Sequence, residues 1–252
     1  MNNPLVSIIT PAYNCQNSFY ETYISVVSQS YCKWEWIITE DHSVDETYSY
    51  LLKLSITDNR IKILRNSKNE GAAISRNNSI SHSNGDFLAF IDSDDVWLPN
   101  KLESQVEFMI ANNIDFSFTA YELIDEGGNK LNKTIDTHHN APLSYADMLK
   151  KKATLGCSTV MLKKSSFVDL DMPLLRTGQD YALWLKLLKT GVDAYPITDV
   201  FTQYRILPNS ISRNKYKKAK RQWEIYRSVE NLALIESIIC FCFYAWRAVF
   251  RK

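Results

Sequence analysis

The first half of the chain alternates short apolar runs with helix-like stretches, and this alternation strongly constrains the fold. The apolar runs predict strands over residues 5–10, 35–40, 61–65 and 87–91. Each run is followed by a stretch typical of a helix, over residues 18–28, 45–54, 71–81 and 101–112. Such alternation predicts βαβ units around a parallel sheet, and continuous apolar runs indicate strands buried on both faces. We therefore expect an α/β fold.

The second half of the chain has a looser pattern after residues 115–121. A Glu-Gly-Gly-Asn turn signal at residues 126–129 opens a stretch, up to Pro142, that reads as a polar loop. Residues 158–162 predict a further strand, and residues 179–189 predict an amphipathic helix. We expect these segments to build a smaller part of the structure onto the sheet.

Composition excludes several classes of protein. A 252-residue chain with 45% hydrophobic and 23% charged residues is ordinary for a globular protein with a real core. Its formal net charge of +1 provides no global field for nucleic acid, so we expect no nucleic-acid partner. Five scattered cysteines without a Cys-x-x-Cys pair argue against a disulfide framework or structural zinc. The first residues lack the pattern of a signal peptide, so we expect a cytoplasmic location.

An acidic cluster, Asp92-Ser93-Asp94-Asp95, directly follows the apolar run at residues 87–91. In open α/β sheets the carboxyl ends of strands are where ligands bind. Three carboxylates within four residues repel one another unless a cation or hydrogen-bond donors compensate them. A hard divalent ion such as Mg²⁺ or Mn²⁺ takes oxygen ligands and often shares them with substrate phosphates. The alternative, in which Asp94 or Asp95 only caps the turn before Trp97, stays open at this point.

Six ordered segments carry a resemblance to a known family. They are Val-Ser-Ile-Ile-Thr-Pro-Ala-Tyr-Asn at 6–14, Ser-Val-Val-Ser-Gln-Ser-Tyr at 25–31, Trp-Ile-Ile-Thr-Glu-Asp-His-Ser-Val-Asp at 36–45, Asn-Glu-Gly-Ala-Ala-Ile-Ser-Arg-Asn at 69–77, Phe-Ile-Asp-Ser-Asp-Asp at 90–95 and Gly-Gln-Asp-Tyr-Ala-Leu-Trp at 178–184. Together they resemble the family 2 glycosyltransferases, inverting enzymes with the GT-A fold. The resemblance implies a Rossmann-like, mostly parallel sheet flanked by helices. We expect a catalytic domain over residues 1–212 and a helical tail over 213–252.

The resemblance also implies roles for particular residues. The nucleotide and its sugar would contact Pro11, Ala12, Tyr13, Asn14, Asp41, Arg76, Asp92 and Ser93. Asp41 would accept a hydrogen bond from the base, which is usually uracil in this family. Arg76 would offer paired donors to the diphosphate. Asp94 and Asp95 would bind the divalent cation, Mn²⁺ or Mg²⁺, that bridges the two phosphates.

Asp180 is the general base that the resemblance implies. It would take the proton from an acceptor hydroxyl as that oxygen attacks the anomeric carbon, and this single displacement would invert the anomeric centre. Each role has an ordinary alternative. Asp41 and Asp180 could simply cap helices, Arg76 could be a solvated side chain, and Trp184 is more typical of a core than of a sugar platform.

Two positions depart from the family pattern. His42 stands where the family commonly has glycine in a turn, which puts the local pocket shape in doubt. Leu207, in the segment Tyr204-Arg205-Ile206-Leu207-Pro208-Asn209-Ser210-Ile211-Ser212, stands where a metal-binding histidine is common. Leucine cannot coordinate a metal, so carboxylate, phosphate and water would hold the ion, with weaker affinity.

The tail combines basic and apolar segments. Six basic residues lie between positions 213 and 221, an apolar stretch covers residues 237–246, and Arg247, Arg251 and Lys252 follow. The uninterrupted apolar part is shorter than the roughly 20 residues that span a bilayer. Basic residues beside aromatic residues suit a helix lying at the inner face of the cytoplasmic membrane. The alternative is a helix that packs back on the catalytic domain.

These observations predict an inverting glycosyltransferase. We expect it to move a hexose or N-acetylhexosamine from a UDP-sugar to a lipid-linked glycan acceptor in bacterial surface polysaccharide synthesis. One alternative is a non-catalytic nucleotide-sugar-binding or scaffold subunit of the same fold, which a substitution of Asp180 would discriminate. Another is a nucleotidyltransferase. That class would need a glycine-rich basic loop after the first strand, and residues 11–14 provide none.

Overall fold

The N-terminal half forms the βαβ units that the sequence predicts. The computed structural model describes residues 3–207 and 215–250. Its first elements are β1 (Val6–Ala12), α1 (Phe19–Val27), β2 (Trp34–Glu40), α2 (Thr47–Thr57), β3 (Ile61–Arg65), α3 (Ala72–Ser81) and β4 (Phe87–Phe90). The strands lie parallel in the order β3-β2-β1-β4. Their carboxyl ends therefore share one edge of the sheet, where the motifs of the first half gather.

The C-terminal half extends the same sheet with mixed strand directions. It contains β5 (Val96–Trp97), α4 (Lys101–Ala111), β6 (Phe116–Ile124), β7 (Lys130–Ile135), α5 (Tyr145–Leu149), β8 (Val160–Lys163), α6 (Gln179–Leu188) and β9 (Tyr195–Arg205). The order continues β4-β8-β6-β9-β5, with β8 antiparallel to β4 and β6 and with β9 parallel to β6. The α/β fold is confirmed, and the sheet as a whole is mixed.

The second half departs from the sequence predictions at several places, among them the short elements β5 and α5, which were not predicted. The predicted polar loop contains β7, which escaped prediction because its residues are nearly all exposed and lack apolar alternation. The strand predicted over residues 158–162 begins only at Val160, because Cys157–Thr159 form a 3₁₀ turn. The long strand β9 was not predicted. Most of its residues are only partly buried, so its apolar signal is weak.

Side chains that alternate along the strands form a core on each face of the sheet. On one face the rings of Phe19 and Trp36 stack at 5.5 Å, and the indole N–H of Trp36 donates to Thr10 Oγ1 at 2.9 Å. On the other face Trp184 meets Phe90 and Phe116 edge to face, each at 5.5 Å. Trp184 is 0% exposed, so it is a core residue.

The tail is helical and packs on the body of the protein. It comprises α7 (Lys215–Glu224), a π-helical turn (Ile225–Val229) and α8 (Leu234–Phe250). Ile225, Tyr226 and Cys240 belong to one of the two cores. Within residues 3–207 and 215–250, no helix is long and apolar enough to cross a membrane. Pro208–Ser212, Arg213, Arg251 and Lys252 lie outside the described residues, and the division at residues 212 and 213 stays a prediction.

Candidate functional site

The loops that follow β1 and β2 are joined to each other. The backbone N–H of Asp41 donates to Ala12 O at 2.8 Å, and the N–H of Asn14 donates to Ser43 Oγ at 3.0 Å. Pro11 and Ala12 are the last residues of β1, and Tyr13, in the loop that follows, is 46% exposed. The predicted base-binding residues 11–14 and Asp41 therefore lie close together at the carboxyl ends of β1 and β2.

His42 adopts the backbone conformation that glycine would have in this turn. Its φ is +59°, in the left-handed region, and its imidazole is exposed. This conformation costs a non-glycine residue roughly 1–2 kcal/mol. The turn therefore keeps the backbone path that a glycine would permit, and the substitution adds a side chain to the rim.

Asp41 fixes the start of α3. Its carboxylate is 3% exposed and accepts hydrogen bonds from Asn66 Nδ2 at 2.7 Å, the Glu70 N–H at 2.8 Å and the Gly71 N–H at 2.7 Å. Gly71 has φ +91°, a conformation that other residues rarely adopt. A carboxylate has about four acceptor positions, so Asp41 has room for about one further donor.

The acidic cluster leaves β4 in a bend that exposes its members unequally. The Asp92 N–H donates to Ser158 Oγ at 3.0 Å. Asp95 is 1% exposed, and its two oxygens accept hydrogen bonds from the Ser158 hydroxyl and from the Arg205 N–H. Asp92, Ser93 and Asp94 are partly exposed, so they form the accessible part of the cluster.

Asp94 and Asp95 have raised pKa values. Burial and the charge of Asp92 raise the pKa of Asp94 to about 6. Burial, Asp94 and Asp92 raise the pKa of Asp95 well above its ordinary value. The negative charge at this edge is therefore only partly compensated by the protein, and a bound cation would stabilise it.

Arg76, from α3, forms an ion pair with Asp92 while it is 4% exposed. Burial by itself would lower the pKa of Arg76, but the carboxylate of Asp92 and, to a smaller extent, that of Asp180 hold it above the ordinary value. Its Nε and Nη1 atoms are buried without a hydrogen-bond partner in the described structure. Arg76 is therefore a buried charged residue with two nitrogen donors that have no partner. It is not the solvated side chain that the alternative reading of the sequence expected.

Arg205, at the end of β9, was missed as a site residue by sequence reasoning. Its Nε donates to Asp94 O at 2.8 Å and its backbone N–H to Asp95 Oδ1 at 2.9 Å. Its guanidinium also donates to Glu126 O at 2.9 Å and forms an ion pair with Glu21. Its side chain is 2% exposed. Because it binds main-chain atoms from distant segments, no local motif marks it.

Asp180 lies in the first turn of α6, next to Gly178 with φ +70°. Its carboxylate contributes to the raised pKa values of both Arg76 and Cys157. Asp92 contributes to the same two shifts. Asp180 and Asp92 therefore lie within electrostatic range of Arg76, a common neighbourhood to which both halves of the chain contribute.

The accessible donors fit a hard divalent cation. The described residues hold no cluster of three His, Cys, Asp or Glu side chains arranged as metal ligands. Asp92 and Asp94 supply carboxylate oxygens at an undercompensated site, and Leu207 supplies no ligand. Phosphate and water oxygens commonly complete the coordination of Mg²⁺ in such sites.

Acidic residues and a buried arginine at the carboxyl ends of parallel strands are typical of a ligand-binding site in an α/β protein. The sequence profile described as "Glycosyl transferase family 2" matches residues 7–169. The chain belongs to this family and is a glycosyltransferase, with the fold that the resemblance implied.

Two relatives and one solved structure illustrate the likeness. TuaG of Bacillus subtilis (strain 168), named as a glycosyltransferase of teichuronic acid biosynthesis, is 42% identical over 99% of this chain and 98% of its own length. The UDP-Glc:alpha-D-GlcNAc-diphosphoundecaprenol beta-1,3-glucosyltransferase WfgD of Escherichia coli is 38% identical over 89% of this chain and 86% of its own. The mannosyltransferase PcManGT from Pyrobaculum calidifontis, solved with GDP-Man and Mn²⁺, superposes with a TM-score of 0.73 at 15% identity, over 99% of this chain and 71% of its own.

We predict that Arg205→Lys lowers both stability and nucleotide affinity. Lysine keeps the charge but cannot reproduce the guanidinium contacts to Asp94, Glu126 and Glu21. We expect a loss of about 2 kcal/mol in the free energy of unfolding, measured in urea, because hydrogen bonds to charged groups are lost. Calorimetry with UDP and Mn²⁺ should show weaker binding.

Arg60→Lys is the matched control. Arg60 pairs with Asp58 and lies 3.6 Å from the ring of Trp34, at the amino ends of β2 and β3 and away from the acidic cluster. We expect this variant to lose stability as well, because lysine cannot reproduce these contacts, but to keep its UDP affinity unchanged. An equal loss of UDP affinity in the two variants would show that Arg205 does not support the acidic cluster.

Proposed function

We propose that the chain is an inverting glycosyltransferase that moves a hexose or N-acetylhexosamine from a UDP-sugar to a hydroxyl of a lipid-linked oligosaccharide, in bacterial surface polysaccharide synthesis. The observation that carries the proposal is the common neighbourhood of Asp92, Asp180 and Arg76. It supports a donor diphosphate and an acceptor hydroxyl at one site. The name of WfgD, which includes UDP-Glc and a diphosphoundecaprenol, supports the two substrate classes.

The donor would bind along the edge formed by β1, β2 and β4. Residues 11–14 and Asp41 would hold the uridine, with the remaining acceptor position of Asp41 directed to the base. Asp92 and Ser93 would contact the ribose and the sugar. The unpartnered Nε and Nη1 of Arg76 would donate to the diphosphate, and this contact would satisfy two N–H groups that are costly to leave buried alone.

A divalent cation would be held by Asp94 together with Asp92. When bound, it offsets the charge that develops on the departing diphosphate. Asp95 belongs to the predicted metal set, but both of its oxygens accept hydrogen bonds from the protein, so we assign it the support of the loop that carries Asp94.

Asp180 would act as the general base. Its carboxylate would accept the proton of the acceptor hydroxyl while that oxygen attacks the anomeric carbon from the face opposite UDP. Arg76 interacts electrostatically with both Asp180 and Asp92, so the base and the diphosphate would share one positive charge. The attack from the opposite face gives inversion.

We predict that Asp180→Asn lowers turnover by about 10²-fold or more, because general-base catalysis contributes about 10²–10⁴-fold. Binding of UDP, measured by calorimetry with Mn²⁺, should stay within about twofold, since the uridine contacts lie on other elements. The rate would be measured as release of UDP over a panel of UDP-sugars.

The exposed Asp199 of β9 provides the control, and Asp199→Asn should retain the wild-type rate. If Asp180→Asn turned over as fast as the wild type, the base assignment would be wrong. A wild-type protein that binds UDP-sugars but releases no UDP, with or without added lipid-linked acceptor, would indicate the scaffold alternative.

We predict that a chelator abolishes turnover and that Mn²⁺ or Mg²⁺ restores it. Asp94→Asn should raise the metal concentration required for half-maximal rate at least about tenfold, because a carboxylate ligand becomes neutral. Leu207→His, which adds a nitrogen ligand at the position where the family often has one, is the informative counterpart and should lower that concentration. Full activity in chelator would contradict the metal assignment.

The tail supports contact with a membrane surface. One side of α8 presents a continuous apolar stripe to solvent, and its most exposed members are Leu234 (56%), Ile235 (74%), Trp246 (56%) and Phe250 (65%). Residues spaced by three or four positions share one side of a helix, so the stripe runs its whole length. We call this set, with Ile238, Ile239 and Phe243, the α8 stripe.

Basic residues lie beside the α8 stripe. The Nζ of Lys150 lies 5.5 Å from the ring of Phe243, and the guanidinium of Arg247 lies 5.8 Å from the ring of Trp246. Lys217 and Lys220 are exposed on α7. An apolar stripe with flanking cations matches a surface of anionic lipid, where the protein would meet a lipid-linked acceptor at the inner face of the cytoplasmic membrane.

We predict that replacing Ile235, Ile239 and Trp246 together by glutamine reduces binding to vesicles with anionic lipid by at least about tenfold. Each apolar side chain that is fully withdrawn from water contributes about 1.5–3 kcal/mol. The loss of three therefore exceeds the roughly 1.4 kcal/mol that corresponds to tenfold weaker binding. Co-sedimentation with the vesicles measures the effect, and added salt should weaken wild-type binding.

Three apolar residues elsewhere, which are more exposed than those replaced in the stripe, provide a control, with Val44, Ile56 and Val168 replaced by glutamine. This control should bind vesicles like the wild type. Equal binding by the stripe variant, or a wild-type dimer that the stripe variant loses, would show that the stripe meets something other than lipid.

A further inference from the structure

The tail passes directly over the start of α6, the helix that carries Asp180. Ile225 and Tyr226, two consecutive residues of the π-helical turn, are 1% and 0% exposed. π turns are rare and are frequently found at functional sites. Here the turn directs both side chains into the body, so the tail contributes to the core beside the site.

Ile225 contacts the residue at which α6 begins. A Cβ atom built on Gly178 would lie 3.2 Å from Ile225 Cδ1 and 3.7 Å from Arg221 Cγ. Gly178 also has φ +70°, which other residues adopt at a cost. Ile225 of the tail therefore packs against the backbone of Gly178, two residues before Asp180.

Tyr226 and Tyr181, the residue that follows Asp180, donate hydrogen bonds to neighbouring backbone carbonyls. The hydroxyl of Tyr181 donates to Met148 O at 2.8 Å, and the hydroxyl of Tyr226 donates to Leu149 O at 2.5 Å. Burial and the neighbouring Tyr226 raise the pKa of Tyr181 well above its ordinary value, as two phenols packed together would. Consecutive carbonyls at the end of α5 thus hold the tail and α6 side by side.

We propose that Ile225 and Tyr226 are positioning residues for the base, which they hold by fixing the first turn of α6 on both sides of Asp180. The inference rests on the proposed role of Asp180. A base must lie within hydrogen-bond reach of the hydroxyl that it deprotonates, and a misplacement of about 1 Å can cost about 10²-fold in rate. The donor contacts lie on other elements, so the tail should affect turnover and leave donor binding unchanged.

The test is Tyr226→Phe in the full-length chain, which removes one hydroxyl and keeps the ring in the core. The assay is release of UDP from UDP-glucose or UDP-N-acetylglucosamine, whichever is hydrolysed faster. We expect kcat to fall about tenfold, a smaller effect than loss of the base itself, with KM for the donor and the number of UDP sites unchanged. Ile225→Val, which removes the Cδ1 atom that faces Gly178, should lower kcat in the same sense.

Tyr145→Phe is the matched control. The Tyr145 hydroxyl donates to Glu230 Oε2 at 2.6 Å and also ties the tail to α5, but at the far end of the π turn. Lys189 still holds Glu230 at 3.2 Å in that variant, so we expect the wild-type rate. If Tyr145→Phe and Tyr226→Phe lost the same activity, the tail would act only as a general brace and the proposal would be overturned.

A double-mutant cycle separates this inference from the proposed function. In an Asp180→Asn background, Tyr226→Phe should cause no further loss, because both changes act through one group. Additive losses would overturn the inference. If Asp180→Asn alone left the rate unchanged, the base assignment and the inference would both fail. If Asp180→Asn lowered the rate but Tyr226→Phe did not, only the inference would fail.

Discussion

Charge compensation at the end of β4 is the constraint on which the site depends. Three aspartates occupy four consecutive positions, and like charges about 4 Å apart near a protein surface repel by about 4 kcal/mol. This is a large part of the net stability of a domain. Arg76 approaches the cluster from α3, and Arg205 approaches from β9. Because the arginines come from opposite halves of the chain, even this partial compensation of the cluster requires both halves of the sheet to have assembled.

Helix α3 joins the parts of the site. Its first residues are fixed by the carboxylate of Asp41, and its middle carries the arginine that pairs with Asp92. The side chain of Asn77 exchanges two hydrogen bonds with the backbone of Met172, at 2.7 and 3.0 Å, in the segment that leads to α6. Small residues such as Ser79 allow α3 to approach the sheet closely. The Ser79 and Thr39 hydroxyls form a hydrogen bond with 2.7 Å between their oxygens. One helix thus links the proposed uridine and diphosphate contacts with the segment that leads to Asp180.

The parts that could be predicted from the sequence depend on local signals. The β1 to α4 region follows apolar periodicity, and its predicted elements match the structure to within a few residues at each end. The acidic cluster could be placed at a sheet edge because it follows a buried strand directly. By contrast, β7 is an exposed strand without alternation and β9 is only partly buried, so neither has a periodic signal. Arg205 acts through main-chain atoms of segments about 80 to 110 residues away, which no local pattern encodes.

The placement of the tail has a consequence for how substrates reach the enzyme. The α8 stripe belongs to the half of the molecule that contains α5 and α6, whereas residues 11–14 and Asp41 lie on the opposite half, beside β2 and β3. If the protein lay on lipid through α8, the proposed uridine contacts, residues 11–14 and Asp41, would be on the half of the fold that does not carry α8. Spent UDP could then be replaced from the water while the protein remains on the bilayer. The search for each new acceptor would become a diffusion in two dimensions, and its speed would depend on the lateral mobility of the lipid.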